Sequence, residues 1–160
     1  MTKINILIVF GLIMMGSNVL AESVWDEPKL VLEKPVDIIV YRSPTCNCCS
    51  KWIDHLQAHN FNVKDIVKKD MQSVKKRLKI PGSLASCHTA LVNGYWVEGH
   101  VPADDIKTML TSKPDILGIS VPAMPHGTPG MEMSGRKDPF NVIALDKQGK
   151  AQLYKAYGDY

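Results

Sequence analysis

The chain holds four cysteines, and three of them fall within four positions, Cys46, Cys48 and Cys49 in Ser43-Pro44-Thr45-Cys46-Asn47-Cys48-Cys49. The cluster fits a disulfide pair with a spare thiol, a redox-active dithiol, or a nest of soft metal ligands. Adjacent Cys48 and Cys49 pair only with strain, so a structural framework would join one of the three to Cys87. Four cysteines allow three pairings, and spacing alone does not rank them. A helix start at the cluster suits both remaining readings. Unpaired N–H groups and the helix dipole favour thiolate, which is at once the nucleophile and the metal ligand.

Three companions favour metal. Cys87-His88 joins a thiolate to an imidazole just before a strand. His100 stands in Glu98-Gly99-His100-Val101-Pro102, before a helix. The stretch Met124-Pro125-His126-Gly127-Thr128-Pro129-Gly130-Met131-Glu132-Met133 puts three methionines and a histidine in a loop, where apolar side chains are seldom needed. Thiolate and thioether ligands together select Cu(I). Zinc competes, because four thiolates, or three with His88, complete a tetrahedral site. Zinc leaves the methionines unexplained, so copper accounts for more of the sequence. Each residue also has a plainer reading: a loop methionine fills a gap in the core, His88 ends a strand, and His100 caps a helix. His55 and His59, four apart, are expected on the partly exposed side of the first helix rather than on a metal. Trp52 and Trp96 read as core or rim aromatics. No role is assigned to His100, His126 or Met133 individually.

The elements that must position these residues follow from periodicity. Val36 to Tyr41 is a β-branched run of strand length. It stops at Ser43-Pro44-Thr45, with Ser43 or Thr45 as the expected N-cap. Cys49, Trp52, Ile53 and Leu56 have helical spacing. Phe61 to Val67 alternates as a strand, and Met71 to about Leu78 is a basic helix ended by Pro81-Gly82. Lys75-Lys76-Arg77 with Lys79 reads as its solvated face. Asn93-Gly94 between apolar runs signals a hairpin. Pro102 opens a helix to about Leu110, residues 118–139 read as a long Pro/Gly/Met-rich loop, and Phe140 to Tyr157 as a second hairpin. A strand feeding Cys46-Asn47-Cys48-Cys49 at a helix start predicts an α/β, thioredoxin-like fold: a central mixed sheet, flanking helices, the long loop and a C-terminal β-hairpin.

Residues 1–21 read as a cleaved secretory signal peptide, with Lys3, an apolar run from Ile4 to Met15, and Val19-Leu20-Ala21 before the cut. Residues 22–34 read as an extended arm, and residues 35–160 as one copper-binding domain. Without Lys3 the net charge falls from +3 to +2, too balanced to argue for a nucleic-acid partner. No stable membrane insertion is expected after cleavage. An exported dithiol ordinarily ends as a disulfide unless a metal or a reductase holds it.

The motifs together resemble a known family. Cys46-x-Cys48-Cys49, Ser86-Cys87-His88-Thr89-Ala90, Gly94-Tyr95-x-Val97-Glu98-Gly99-His100-Val101-Pro102 and Pro122-x-Met124-Pro125-x-Gly127-x-Pro129-Gly130-Met131-Glu132 look like the CopG-type periplasmic copper-resistance proteins. That group belongs to a metal-binding family long catalogued as a domain of unknown function. The resemblance implies a periplasmic thioredoxin-like protein holding Cu(I), as several thiolate-bridged ions, with a suggested copper oxidoreductase activity. It places the metal on Cys46, Cys48, Cys49 and Cys87, with His88, Met124 and Met131 as second choices. Other periplasmic copper-handling proteins are the implied partners. One departure is Ala123, where glycine is expected in many relatives. The remaining alternative is a thiol–disulfide oxidoreductase using Cys46 and Cys49.

Overall fold

The computed structural model describes residues 23–160, so the expected leader lies outside the described residues. The β-branched run forms β1 (Val36–Arg42), and the helical-period stretch forms α1 (Asn47–Ala58). Then come β2 (Phe61–Val67), α2 (Met71–Arg77), β3 (His88–Val92), β4 (Tyr95–Glu98), α3 (Ala103–Ser112), β5 (Ile116–Ser120), β6 (Phe140–Asp146) and β7 (Ala151–Tyr157). Asn93 and Gly94 both take positive φ, 46° and 86°. That is the left-handed pair a two-residue hairpin turn demands.

The strands form one sheet in the order β2-β1-β3-β4-β5-β6-β7. β1–β2 and β4–β5 run parallel, because α1 and α3 carry the chain back between them; the other pairs are antiparallel. This is the mixed α/β sheet expected of a thioredoxin-like fold. It differs from the sequence reading in one strand. β5 lies between α3 and the long loop, and it joins the C-terminal hairpin to the sheet. Its sequence, Ile116-Leu117-Gly118-Ile119-Ser120, is short and interrupted by glycine, which reads as the start of a loop. Gly118 is there because a Cβ at that position would run into the Trp96 backbone and ring.

Alternation along the strands divides the core. Ile38, Val40, Ala90, Val92, Val97, Ile119, Val142 and Ala144 pack with Trp52, Ile53 and Leu56 of α1 and Ile106 and Met109 of α3. Leu91, Trp96, Leu117, Ile143 and Leu145 form a second cluster with Ile80 and Leu84, which follow α2. Both Trp52 and Trp96 are therefore core residues. The expected solvated face of α2 needs correction at Lys75, which is 5% exposed while Lys76, Arg77 and Lys79 remain in water. Lys75 is turned inward toward a buried carboxylate on β4.

The leading segment is strapped to the domain. Trp25 donates its indole N–H to the Gly127 carbonyl at 2.7 Å and packs on Phe140, Tyr157 and Tyr160. Asp104 accepts from the backbone of Lys29 and Leu30. Among the described residues no helix is long and apolar enough to cross a membrane.

Candidate metal centre

β1 ends at Arg42 and the chain turns into α1 so that Cys46 is the N-cap residue and Cys49 the third helical residue. Neither Ser43 nor Thr45 takes the cap; their hydroxyl oxygens lie 3.4 Å from each other. An N-cap side chain reaches naturally toward the third helical position. Here sulfur uses that reach: Cys46 and Cys49 are joined in a disulfide, with Cα atoms 5.5 Å apart. Cys48 is rotated about 100° from Cys49 around the helix. It keeps a free thiol, with Sγ 3.6 Å from that of Cys46.

The second free thiol, Cys87, arrives from the other side, at the start of β3. Its Sγ lies 3.2 Å from His88 Nδ1 and 3.5 Å from His100 Nε2. His88 is fully buried, packed against the Trp52 ring at 4.3 Å between centroids with the planes tilted by 40°, and its Nε2 has no hydrogen-bond partner among the described residues. His100 is also fully buried. Its Nδ1 donates to the Pro129 carbonyl at 2.8 Å, which fixes the tautomer and leaves the Nε2 lone pair facing Cys87. Gly99 makes this turn feasible. It has φ +73°, and a Cβ there would strike the Val121 carbonyl and the Ser86 side chain.

These side chains fall into two groups with ligand atoms within 4.8 Å of one another: Cys46, Cys49, Cys87 and His88, and Cys48, Cys87 and His100. Cys87 belongs to both. Burial keeps both imidazoles neutral, His88 well below its ordinary pKa and His100 lowered as well. Neutral imidazole is the form that ligates metal. The Cys87 thiol is pushed up to about 12, first by burial and then by neighbouring Cys48. Without a cation at the centre it holds its proton. Soft sulfurs, neutral rings and an orphaned buried nitrogen fit a thiophilic metal better than a packed core.

The methionines contribute differently. Met124 is 48% exposed, Met133 is 68% exposed and Met131 is half-buried. The loop backbone nonetheless closes over the centre. Ser86 donates its hydroxyl to the Ala123 carbonyl, beside Met124. Gly130, next to Met131, lies against the backbone of Lys51 and Trp52. Ala123 itself has φ 61°, a left-handed conformation glycine adopts without cost, which gives the expectation of glycine there a physical basis. His126 points elsewhere, its Nδ1 3.0 Å from Asp138 Oδ2.

His55 and His59 take no part. His55 Nε2 accepts from the Ala103 N–H at 3.0 Å, and His59 Nδ1 donates to the His55 carbonyl at 2.8 Å. His59 is buried rather than partly exposed. The sequence reading left His100 unassigned and passed over Lys75 and Glu98. The glycine of Glu98-Gly99-His100, which turns the chain at the centre, was the available signal for His100.

Behind the Cys87-His88 pair, on the α2 face of the sheet, lies a buried polar network. Lys75 Nζ donates to Glu98 Oε1 and, at 3.0 Å, to Thr89 Oγ1. Glu98 Oε1 also accepts from the Ser86 N–H at 2.6 Å, and its Oε2 from Thr89 Oγ1 at 2.6 Å.

Comparison with known proteins places this geometry. A family described as "Protein of unknown function, DUF411" matches residues 84–131, the stretch from before Cys87 to Met131. No curated protein sequence matches the chain. Two solved structures, titled "Copper resistance protein copG- Form 2" and "Form 1", are each 46% identical to it. Form 2 aligns over 78% of this chain and all of its own with a TM-score of 0.75; for Form 1 the values are 79%, all and 0.74. The chain belongs to the family of the copper resistance protein CopG.

Proposed function

We propose that the chain is a periplasmic Cu(I)-binding protein of copper resistance, exported by cleavage of residues 1–21. Copper is its cargo, held by Cys46, Cys48, Cys49 and Cys87 with His88 and His100. Met124 and Met131 supply further thioethers from the overlying loop. The observation that carries the reading is Cys87, whose sulfur is common to both ligand groups. A thiolate shared in this way bridges two ions, which explains why three sulfurs crowd into four residues. The titles of the related structures support copper as the metal, and the soft donor set supports Cu(I) over harder cations.

The Cys46–Cys49 disulfide ties binding to redox state. Opening it consumes two electrons and two protons and yields two thiols. The electrons come from a thiol reductant, or from two Cu(I) ions that leave as Cu(II). Only the reduced chain offers all four sulfurs. Anaerobic titration of the reduced protein against a chromophoric Cu(I) chelator tests the reading. More than one Cu(I) retained per chain is expected; none retained overturns it, and tight zinc with no copper returns the site to the zinc reading.

The same disulfide favours a second reading, thiol–disulfide exchange with Cys46 attacking and Cys49 resolving. A Cys49→Ser chain would then accumulate mixed disulfides in cells. Their absence, with copper tolerance lost, removes this reading.

A further inference from the structure

Of the buried ionisable groups near the centre, Lys75 and Glu98 are the two to which neither metal binding nor disulfide chemistry gives a task. A lysine and a glutamate at 6% and 0% side-chain exposure are costly to bury, because both give up hydration. An apolar pair would fill the same space between α2 and the sheet. What an apolar pair cannot do is accept hydrogen bonds, and Glu98 accepts them from two places that matter. Thr89 and Glu98 are cross-strand partners in the β3–β4 register, so the carboxylate stands beside the Thr89 hydroxyl. Its other oxygen reaches past the end of β3 to the Ser86 N–H. Ser86 and Thr89 are the residues on either side of Cys87-His88.

We propose that Glu98 is a positioning residue for the metal centre. Its carboxylate clamps Ser86 and Thr89 and so fixes the Cys87-His88 dipeptide, with Lys75 as its buried counter-charge. The clamp works from the back of the sheet, opposite the Trp52 ring against which His88 packs. The Ser86 hydroxyl, bonded to the Ala123 carbonyl, holds the same segment from the loop side. The sulfur shared by the two ligand groups is thereby set before any ion arrives. Backbone and side-chain groups that orient ligands in this way typically influence metal affinity by about 10–100-fold. The inference rests on the reading of Cys87 and His88 as Cu(I) ligands.

Two double variants separate the clamp from the charge, since both avoid a lone buried ion. Lys75→Met/Glu98→Gln keeps a carbonyl acceptor for the Ser86 N–H and an amide partner for Thr89. Lys75→Met/Glu98→Leu removes both. Cu(I) affinity of the reduced chains is read by chelator competition, and melting temperature of the metal-free chains reads folding separately. The Leu chain is expected to bind Cu(I) about 10–100-fold more weakly, with the Gln chain close to wild type. If the Leu chain is unfolded at the assay temperature, Thr89→Val, an isosteric loss of one clamped hydroxyl, replaces it and is expected to weaken binding with the fold retained. Wild-type affinity in the Leu or Val chain, or equal weakening in both double variants, overturns the clamp. If the wild-type chain itself retains no Cu(I), the metal reading has failed rather than the clamp alone.

Discussion

The two cysteine segments that meet at the centre are built in opposite ways. Cys46 and Cys49 sit on the first turn of a helix, where their three-residue spacing lets them exchange a covalent bond for two thiols. Cys87 and His88 sit at a strand end, clasped by Glu98 behind, the Ser86–Ala123 bond beside and the Trp52 ring in front. On the proposed reading, one half changes its chemistry with redox state and the other holds geometry. A centre that must gain and lose ligands without losing shape needs both, because a site made only of exchangeable sulfurs would rearrange whenever it was oxidised.

The largest effect should come from the fixed half. Cys87→Ser removes the sulfur common to both ligand groups, and we expect it to abolish Cu(I) retention in anaerobic titrations. Cys48→Ser touches one group and should leave copper bound at a lower stoichiometry. Equal stoichiometries for the two variants would break the asymmetry.

The exchangeable half should answer to reductant instead. With the Cys46–Cys49 disulfide intact, only Cys48, Cys87 and His100 form a complete group among the described residues. The copper count should therefore rise when the disulfide is opened, and a count independent of reduction contradicts the division of labour.

The third effect is on folding. Glu98→Gln alone strands Lys75 as a buried, unpaired charge and should cost ~3–5 kcal/mol in urea unfolding. Adding Lys75→Met should recover most of it. Gly130→Ala should cost at least about 1–2 kcal/mol from its φ of +83° alone, with more added because its Cβ would stand 2.8 Å from the Trp52 backbone nitrogen. The same change lifts the loop whose Pro129 carbonyl orients His100.

At neutral pH the smallest effect lies away from the centre, and it grows only in acid. His55 is lowered to about 3 by burial, then by His59. A histidine neutral when folded but protonated when unfolded takes stability away as pH falls below its ordinary value of 6.5 and on toward 3. His55→Gln, which retains an acceptor for the Ala103 N–H, should flatten that slope in the metal-free chain. An unchanged slope assigns the loss to other groups.

Much of this was legible beforehand because local chemistry decided it. The β-branched run, the Asn93-Gly94 turn and the apolar spacing of α1 each agree with the fold that contains them. The grouping of Cys87 and His88 with the α1 cysteines followed from the position of their segments, while His100 was noticed but given no role. β5 was illegible for a tertiary reason: Gly118 serves the Trp96 ring lying over it, and nothing local distinguishes it from a loop glycine. Lys75 was illegible likewise, because in a run of basic residues only the partner on β4 tells which one turns inward. The Cys46–Cys49 pairing depended on the N-cap falling at Cys46 rather than on the better capping residues before it.

The central claim is that Cys87 bridges copper between the two halves. X-ray absorption of the reduced, Cu(I)-loaded protein, with the metal counted in the same sample, tests it most directly. A sulfur-dominated shell, a short copper–copper vector and more than one ion per chain are predicted. A single ion with only nitrogen and oxygen neighbours, or no copper–copper vector at full loading, contradicts it.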